Sequence, residues 1–372
     1  MIRLAVIGAN APLEPFYRHA KSNGFYIIGI AWAQGAVCKK YCDKFYPVSF
    51  KEKDEVLRIC KEERVDGITS FSLESALPTV IYVAQNMGLV SNGFDCLQLT
   101  ENKYAQREAF KKNGIPVPYY ERVMCLNDVH VENFRFPIIV KPVDSGGSQG
   151  ITKLDSVNGL VDAYNVAVEC SKSGAAIIEE YIDGREFSVE FMSCAGVHYP
   201  IQITDKVTSG SPHFIEMEHH QPADISVDLR ERILDVVSRG LTALKIENSP
   251  SHTEIKLNSR DELYIIEIGA RLGGDYITSD LVRLSTGYDM VKGCADLATG
   301  HFQTPVFSKN MFSGVFFYSS LAPYIGEVIK KHEEYPEIVE FEMDEGPLKI
   351  AKSNADRNGY FLYQSVKSRM KL

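Results

Sequence analysis

The sequence predicts an α/β protein that opens with a parallel sheet and continues into α+β units, and three observations carry that reading. Apolar runs alternate with amphipathic stretches over residues 1–95, a lysine-ended strand near 141 runs into a glycine-rich loop, and two short strands face each other across a polar turn near 260. Strand–helix alternation argues for parallel strands joined by crossover helices, whereas strands only a few residues apart must pair antiparallel. At roughly 100–200 residues per domain, a chain of 372 residues is expected to build more than one core.

The first strand is expected at 4–7, inside Met1-Ile2-Arg3-Leu4-Ala5-Val6-Ile7-Gly8, an apolar run too short for a secretion signal. A helix at 13–22, a strand at 25–30, a helix at 51–63, a strand at 67–71 and a helix at 75–87 follow. The first turn, Gly8-Ala9-Asn10-Ala11-Pro12, lacks the GxGxxG spacing of a dinucleotide site, because Asn10 and Leu13 stand where glycines would admit a pyrophosphate. This part is therefore expected to support its neighbours. After the proline-bearing turn at 114–118, strands at 137–141 and 176–180 flank a helix at 156–172 and form a small α+β lid. Strands at 187–194 and 200–204, a long helix at 226–245, and strands at 252–257 and 263–268 predict an antiparallel sheet backed by a helix. Short strands at 314–318 and 338–342 lead to a helix-bearing end at 359–367.

Composition narrows the function classes. With 45% hydrophobic and 24% charged residues the chain is an ordinary globular protein, neither disordered nor collagen-like. A net charge of −9 works against phosphate backbones and anionic lipid, so neither nucleic acid nor membrane is an expected partner. The longest apolar candidate for a membrane span, 311–325, is broken by Ser313, Gly314, Ser319, Ser320 and Pro323. Eight scattered cysteines suit reduced thiols, and a cytoplasmic location is expected. Only Cys38 and Cys42 lie close together, and they supply two of the four ligands zinc prefers.

Chemistry concentrates in four segments. In Ile138-Ile139-Val140-Lys141-Pro142-Val143-Asp144-Ser145-Gly146-Gly147-Ser148-Gln149-Gly150, the lysine ends a strand and the glycines bring backbone N–H groups near phosphate oxygens. The lysine precedes the glycines, so this is not a P-loop, and Gly-Gly and Ser-Gly pairs also mark plain turns. The hairpin His252–Leu257 and Leu263–Ile268 carries the stronger signal. If it is symmetric about 260 and 261, residue i pairs with 521 − i, and Glu254 lies opposite Glu267 with Cβ atoms about 4.5–5.5 Å apart. Two carboxylates so placed repel unless a cation or proton lies between them, and oxygen ligands on rigid strands suit Mg²⁺; a slip of one residue would turn one of them to solvent. Directly after this strand, Gly269-Ala270-Arg271-Leu272-Gly273-Gly274-Asp275 offers an arginine to a phosphate or carboxylate, or to a neighbouring acid. The fourth segment, Ala176–Phe187, reads by itself only as strand, turn, strand.

In this order the pieces resemble the ATP-grasp superfamily, and within it the carboxylate–amine ligases related to L-amino-acid (dipeptide) ligases. The resemblance implies a Rossmann-like domain at 1–95, an ATP-grasp fold of two α+β subdomains at 96–304 with its lid at about 110–178, and a small C-terminal α+β subdomain at 305–372. It implies that Lys103 and Lys141 hold ATP phosphates under a lid of Ser145, Gly146, Gly147, Ser148 and Gly150. Glu179, Glu180, Tyr181 and Ile182 match the hinge that receives adenine, and Glu186 the acid that binds ribose. Glu254 and Glu267 match the Mg²⁺ ligands, a place Mn²⁺ can also take. Arg271, with Gly273 and Gly274, matches the site of the transferred phosphoryl group and acyl substrate, and Lys141 and Arg271 the catalytic pair. The sequence departs from the family at Gly269, where asparagine is usual and helps a magnesium ion, and at Gln149, where a basic residue is frequent. The segment 209–222 resembles an acceptor-lining segment, in which His213, Glu216 and His220 are candidates for holding an ammonium or carboxylate.

The function so implied is an ADP-forming ligase. ATP would convert a carboxylic acid, expected to be an amino acid, into an acyl-phosphate that an amine then attacks, in a protein expected to form homodimers. The alternatives are a carboxylase-like enzyme activating bicarbonate and a non-catalytic ATP-binding protein.

Overall fold

The computed structural model describes residues 1–372 apart from Gly147, Ser148, Pro212 and Glu345. The N-terminal part is a four-stranded parallel sheet built from β1 (Arg3–Ile7), α1 (Glu14–Ser22), β2 (Tyr26–Ile30), β3 (Lys44–Tyr46), α2 (Lys53–Glu63), β4 (Gly67–Thr69) and α3 (Leu77–Met87), with strand order β3-β2-β1-β4. Leu4, Ala5, Val6 and Ile7 are all buried, as a strand covered by helices on both faces requires. The short strand β3, charged and at the sheet edge, has no periodic signal to announce it. The loop after β4 enters a 3₁₀ turn, Glu74–Ala76, before α3. Helices α4 (Phe94–Thr100) and α5 (Lys103–Lys112) lead out of this part.

A second sheet of four strands combines β5 (Tyr120–Val123), β6 (Ile138–Pro142), β7 (Thr152–Leu154) and β8 (Ala176–Glu180) in the order β5-β8-β6-β7, all antiparallel. Helix α6 (Leu160–Cys170) buries Leu160, Ala163 and Ala167 on it, a spacing of three and four that makes one helical face. The expected lid helix is thus present, shorter at both ends.

The largest sheet has eight strands: β9 (Arg185–Cys194), β10 (Val197–Thr208), β11 (Glu216–Gln221), β12 (Ser249–Leu257), β13 (Leu263–Gly269), β14 (Phe312–Tyr318), β15 (Ile338–Met343) and β16 (Gly359–Ser365). Their order, β13-β12-β9-β10-β11-β14-β16-β15, carries the C-terminal strands into the same sheet as the hairpin near 260. The end of the chain corrects the expected helix at 359–367. Phe361 and Tyr363 pack with α8 (Tyr324–Lys330) on one face while Leu362 joins Val315 and Phe317 on the other, which is strand periodicity. The helix of this region lies upstream, at α8. Among the described residues no helix is long and apolar enough to cross a membrane.

The eight-stranded sheet has two unlike faces. On β9, Phe187, Val189 and Phe191 point to a core with Leu229, Ile233, Val237 and Leu241 of α7 (Val227–Ala243). Each such fully buried side chain contributes roughly 1.5–3 kcal/mol. Ser226 starts that helix by accepting the Leu229 N–H at 3.2 Å, and Gly240 lets it lie close, since a Cβ there would meet Ile265 Cδ1 at 2.7 Å. The opposite face of β9 carries Glu186, Ser188 and Glu190, and Ser188 and Glu190 are completely buried. Buried polar side chains in strand register are uncommon, and they mark where the chemistry must be sought.

Candidate active site

Cross-strand register brings the polar residues into rows. Glu186 faces Lys206 of β10 and Lys256 of β12, Ser188 faces Thr204 and Glu254, and Glu190 faces His252. On the far side of β12, Glu254 pairs with Glu267. The two glutamates meet as the symmetric hairpin predicts, but by an indirect route. Near the turn the pairs are Leu257 with Leu263, Lys256 with Tyr264 and Ile255 with Ile265, one residue off the expected register, and a bulge between Glu254 and Ile255 restores it. Without the bulge one of the two side chains would turn away.

Each carboxylate has a lysine. Lys103, the first residue of α5, donates to Glu267 Oε1 at 3.0 Å and to the Ser145 carbonyl at 2.8 Å. Burial pulls its pKa down, and the charge of Glu267 outweighs this and leaves it raised. The helix it starts is fixed to the strand it serves. Gln106 both donates to the Ile268 carbonyl at 3.0 Å and accepts from the Ile268 N–H at 3.0 Å, while Arg107 donates to the Ile266 carbonyl at 2.9 Å, covering the open edge of β13. Glu254 is bound by Lys206 at 2.9 Å, whose charge holds its carboxyl well below the usual range. Lys206 also reaches Glu216 at 2.9 Å and Glu186 at 3.1 Å and is only 3% exposed. Burial alone would lower its pKa, but the surrounding carboxylates drive it well above the ordinary lysine value. The donor set suits a divalent cation: two paired carboxylates, each with one oxygen on a lysine and another to offer.

The lid contributes a second group. Lys141 of β6 is buried against Glu179 of β8, which Arg107 grips from the other side at 3.0 and 3.3 Å. Desolvation raises the Glu179 pKa, but the two cations bring it down to about 2, while burial leaves Lys141 lowered. The Glu179 side chain is thus committed to the protein, and what the hinge can offer a ligand is backbone. The N–H groups of Glu180 and Tyr181 bond the carbonyls of Tyr119 and Pro137, both at 2.9 Å; among the described residues the Ile182 N–H has no protein acceptor. The Tyr181 ring lies under Lys153 at 4.6 Å and Lys256 at 4.9 Å. Glu186 is shared by Lys206 and Lys256 at 3.1 and 3.4 Å. In the glycine loop, Ser145 bonds Cys170, and a Cβ on Gly146 would lie 3.4 Å from Glu74 Oε2; Gly147 and Ser148 lie outside the described residues.

Beyond the glutamates lies the loop 269–275. The Arg271 side chain folds back over Gly269, where a Cβ would come within 3.3–3.5 Å of its Nε, Cγ and Cζ. It donates to the Leu272 carbonyl at 3.0 Å, and its Nε is buried without a partner. Gly273 rests on His252, with 2.6 Å from a notional Cβ to Nδ1, whereas Gly274 is open. His252 cannot yield, because its Nδ1 is bonded to Glu190 at 2.6 Å. Burial lowers the His252 pKa, and the Glu190 charge overrides this and brings it to about 9. Glu74, delivered from the N-terminal part, faces Arg271, Lys103 and Glu267, and burial raises its pKa.

Within the segment 209–222, Glu216–Gln221 form the strand β11, and this changes which histidine points where. Lys206 pairs with His219, and a bulge leaves Met217 unpaired so that Glu216 meets Thr208. Glu216 and His219 thereby share the polar face, with His219 Nε2 3.2 Å from Glu216 Oε2. His220 points the other way, to Tyr363 at 2.9 Å and Glu218 at 2.8 Å, and His213 is exposed on the turn before the strand. Asp275, held by Arg357 at 2.6 and 3.2 Å, completes a cluster with Glu216 and His219 whose ligand atoms lie within 4.8 Å of one another. Lys206, His219, Asp275, Glu74 and the Glu190–His252 pair escape sequence reasoning. The signal available for Lys206 was a cation ending the polar row His198, Gln202, Thr204 of an alternating strand, and for Glu74 there was none.

Comparison with known proteins agrees with this geometry. Residues 134–280 match the family described as an ATP-grasp domain. The alanine–anticapsin ligase of Bacillus subtilis is 24% identical over 268 residues, covering 66% of this chain and 56% of that protein, so the chain spans little more than half its length. The L-arginine-specific L-amino acid ligase of Bacillus subtilis is 24% identical over 304 residues, with coverage of 80% and 72%. Among solved structures, the L-amino acid ligase from Bacillus licheniformis superposes with a TM-score of 0.84 at 22% identity, over 99% of this chain and 94% of that one. Residues 134–280, which carry most of the lid sheet, the hinge and the glutamate hairpin, match an ATP-grasp domain, and the chain shares the fold of that L-amino acid ligase structure.

Proposed function

We propose that the protein is an ATP-dependent, ADP-forming carbon–nitrogen ligase that activates a carboxylic acid, an amino acid, as its acyl-phosphate and transfers the acyl group to an amine. The observation that carries this reading is the register pair Glu254–Glu267, each glutamate tethered by its own buried lysine and flanked by Arg271. In this reading 1–95 supports the site, 96–304 binds and reacts, and 305–372 completes the sheet. Lys103 and Lys141 bind ATP phosphates, the glycine loop closes over them, the hinge at 179–182 takes the adenine through backbone groups, and Glu186 takes the ribose. Glu254 and Glu267 would hold Mg²⁺, which when bound would neutralise charge on the phosphates.

Attack by the acid's carboxylate oxygen on the terminal phosphorus breaks the bond to the ADP oxygen. Arg271 holds the acid and stabilises the charge that gathers during transfer. The amine nitrogen then attacks the activated carbonyl carbon, phosphate leaves, and the amine loses a proton. The Glu216–His219–Asp275 cluster, with two carboxylates and next to Gly273–Gly274, suits the ammonium of a substrate. Closing the loop excludes the water that would otherwise hydrolyse the acyl-phosphate.

The test is release of ADP and phosphate from Mg-ATP over amino acids offered singly and in pairs, with mass spectrometry of the products. Release that requires a pair, with a product mass of the two substrates less water, supports the ligase. Release that requires bicarbonate, or ATP binding with no release over the whole panel, overturns it.

A further inference from the structure

Behind Arg271 lies a cavity of about 60 Å³ between the N-terminal part and the eight-stranded sheet. Its walls are the end of β4 with Phe71, the helices α3 and α4, the start of β12 and residues 270–271. Pro250, on its wall, lies on β12 two residues before His252 and four before Glu254, so it shares their face of the sheet. Phe71 fastens this wall to the site. It adopts φ = +51°, a strained conformation for a bulky residue, and in it accepts the Leu272 N–H at 3.2 Å, directly after Arg271.

The chemistry of the lining is one-sided. Leu77, Val80, Ile81 and Leu97 make it aliphatic. Its polar side chains are already occupied within the protein: Ser70 donates to the Leu73 carbonyl at 3.0 Å, Thr100 to the Cys96 carbonyl at 2.9 Å, and Asn92 to Ser249 at 2.9 Å while accepting from the N–H groups of Glu247 and Asn248. The exception among the described residues is Arg271, whose Nε is buried and unpartnered. An apolar pocket with a guanidinium-bearing residue on its wall is complementary to a carboxylate bearing an apolar tail. At roughly 15 Å³ per water-sized position, the volume admits about four non-hydrogen atoms.

We propose that this cavity seats the aliphatic side chain, of about four carbons, of the amino acid whose carboxylate Arg271 holds. This rests on the ligase reading and adds the class of acid to it. Calorimetric binding to the full chain, with a non-hydrolysable ATP analogue and Mg²⁺ present, is measured for alanine, 2-aminobutyrate, norvaline, norleucine and 2-aminoheptanoate. Affinity rises roughly fourfold per methylene as far as norleucine and falls beyond it. Val80→Phe moves the optimum to a shorter chain and Val80→Ala to a longer one, both with unchanged affinity for the analogue. A flat series, or an optimum that neither folded variant moves, overturns the proposal. ADP release, assayed separately, distinguishes the two levels. Chain-length-dependent binding without release in the presence of any amine sinks the ligase reading and leaves the cavity assignment standing, and release indifferent to chain length does the reverse.

Discussion

Replacing Lys206 with methionine removes the one cation shared by Glu186, Glu216 and Glu254 while keeping the volume of the side chain. Loss of one partner from a buried ion pair costs about 3–5 kcal/mol. Here the stranded carboxylates retain some solvent, with side chains 17–31% exposed, so the low end of that range, about 3 kcal/mol, is expected. At about 2.1 cal/mol/K per residue of unfolding entropy, a chain of 372 residues unfolding as one unit loses about 4 °C of Tm. In the wild type, Lys206 holds Glu254 and Glu216 below their ordinary pKa, stability that is present above the unfolded glutamate pKa and is lost as pH falls through the folded one. In the variant the same groups, buried and mutually repelling, rise above the ordinary value. Their penalty is full at pH 7.5 and fades as they protonate toward pH 5. Melting curves at the two pH values, with and without 10 mM MgCl₂ as about the concentration range in which a weak cation site fills, check this. Lys206→Met should close most of its gap to wild type at pH 5 and gain more Tm from Mg²⁺ at pH 7.5. A gap that is equal at both pH values, or insensitive to Mg²⁺ in both proteins, refutes the idea that Lys206 acts by neutralising these carboxylates.

Three further outcomes are expected. Glu267→Gln should lower ADP formation at least about a hundredfold, and near-normal ADP formation by that variant would count against the hairpin as the metal site. Gly273→Ala should raise KM for the acid about tenfold with KM for ATP unchanged, because the added Cβ meets a His252 ring that Glu190 holds in place; equal changes in both constants would contradict this. His219→Asn should raise KM for one amino-acid substrate, while His220→Gln should lower Tm through loss of its bonds to Tyr363 and Glu218 and leave KM alone. The reverse pattern in steady-state kinetics would show that the wrong histidine has been assigned.

What could be read from the sequence follows from how local its cause is. Alternation of strands and helices over 1–95, and the pairing of Glu254 with Glu267 across a short turn, depend on residues close in the chain, and both are found. The pairing nevertheless depends on a bulge that symmetric counting does not contain, so two offsets cancelled. At Met217 a bulge had the opposite effect. Strict alternation would separate Glu216 from His219, and only the extra residue puts them on one face, which no single-sequence period reports. Lys206 and Glu74 were hidden for a different reason, since their partners are distant in the chain and come together only when sheet order and the packing of the N-terminal part are known. The C-terminal strand β16 was misread because its both-sided burial erases the two-residue period that marks a half-exposed strand.

The clasp of Gln106 and Arg107 on β13 has a consequence for anyone who would transplant this chemistry. An edge strand normally offers its free N–H and C=O groups to any passing chain, yet here a helix occupies them with side-chain donors and acceptors spaced to the backbone. The same helix begins with Lys103, so the cation and the strand bearing its glutamate are indexed to each other by side-chain bonds from the helix to the strand backbone. A graft of the hairpin alone onto a new scaffold would carry both glutamates but expose a sticky edge and lose the reference that sets the lysine. The smallest portable unit is the hairpin together with residues 103–112, and helix and strand should tolerate transfer only as a pair.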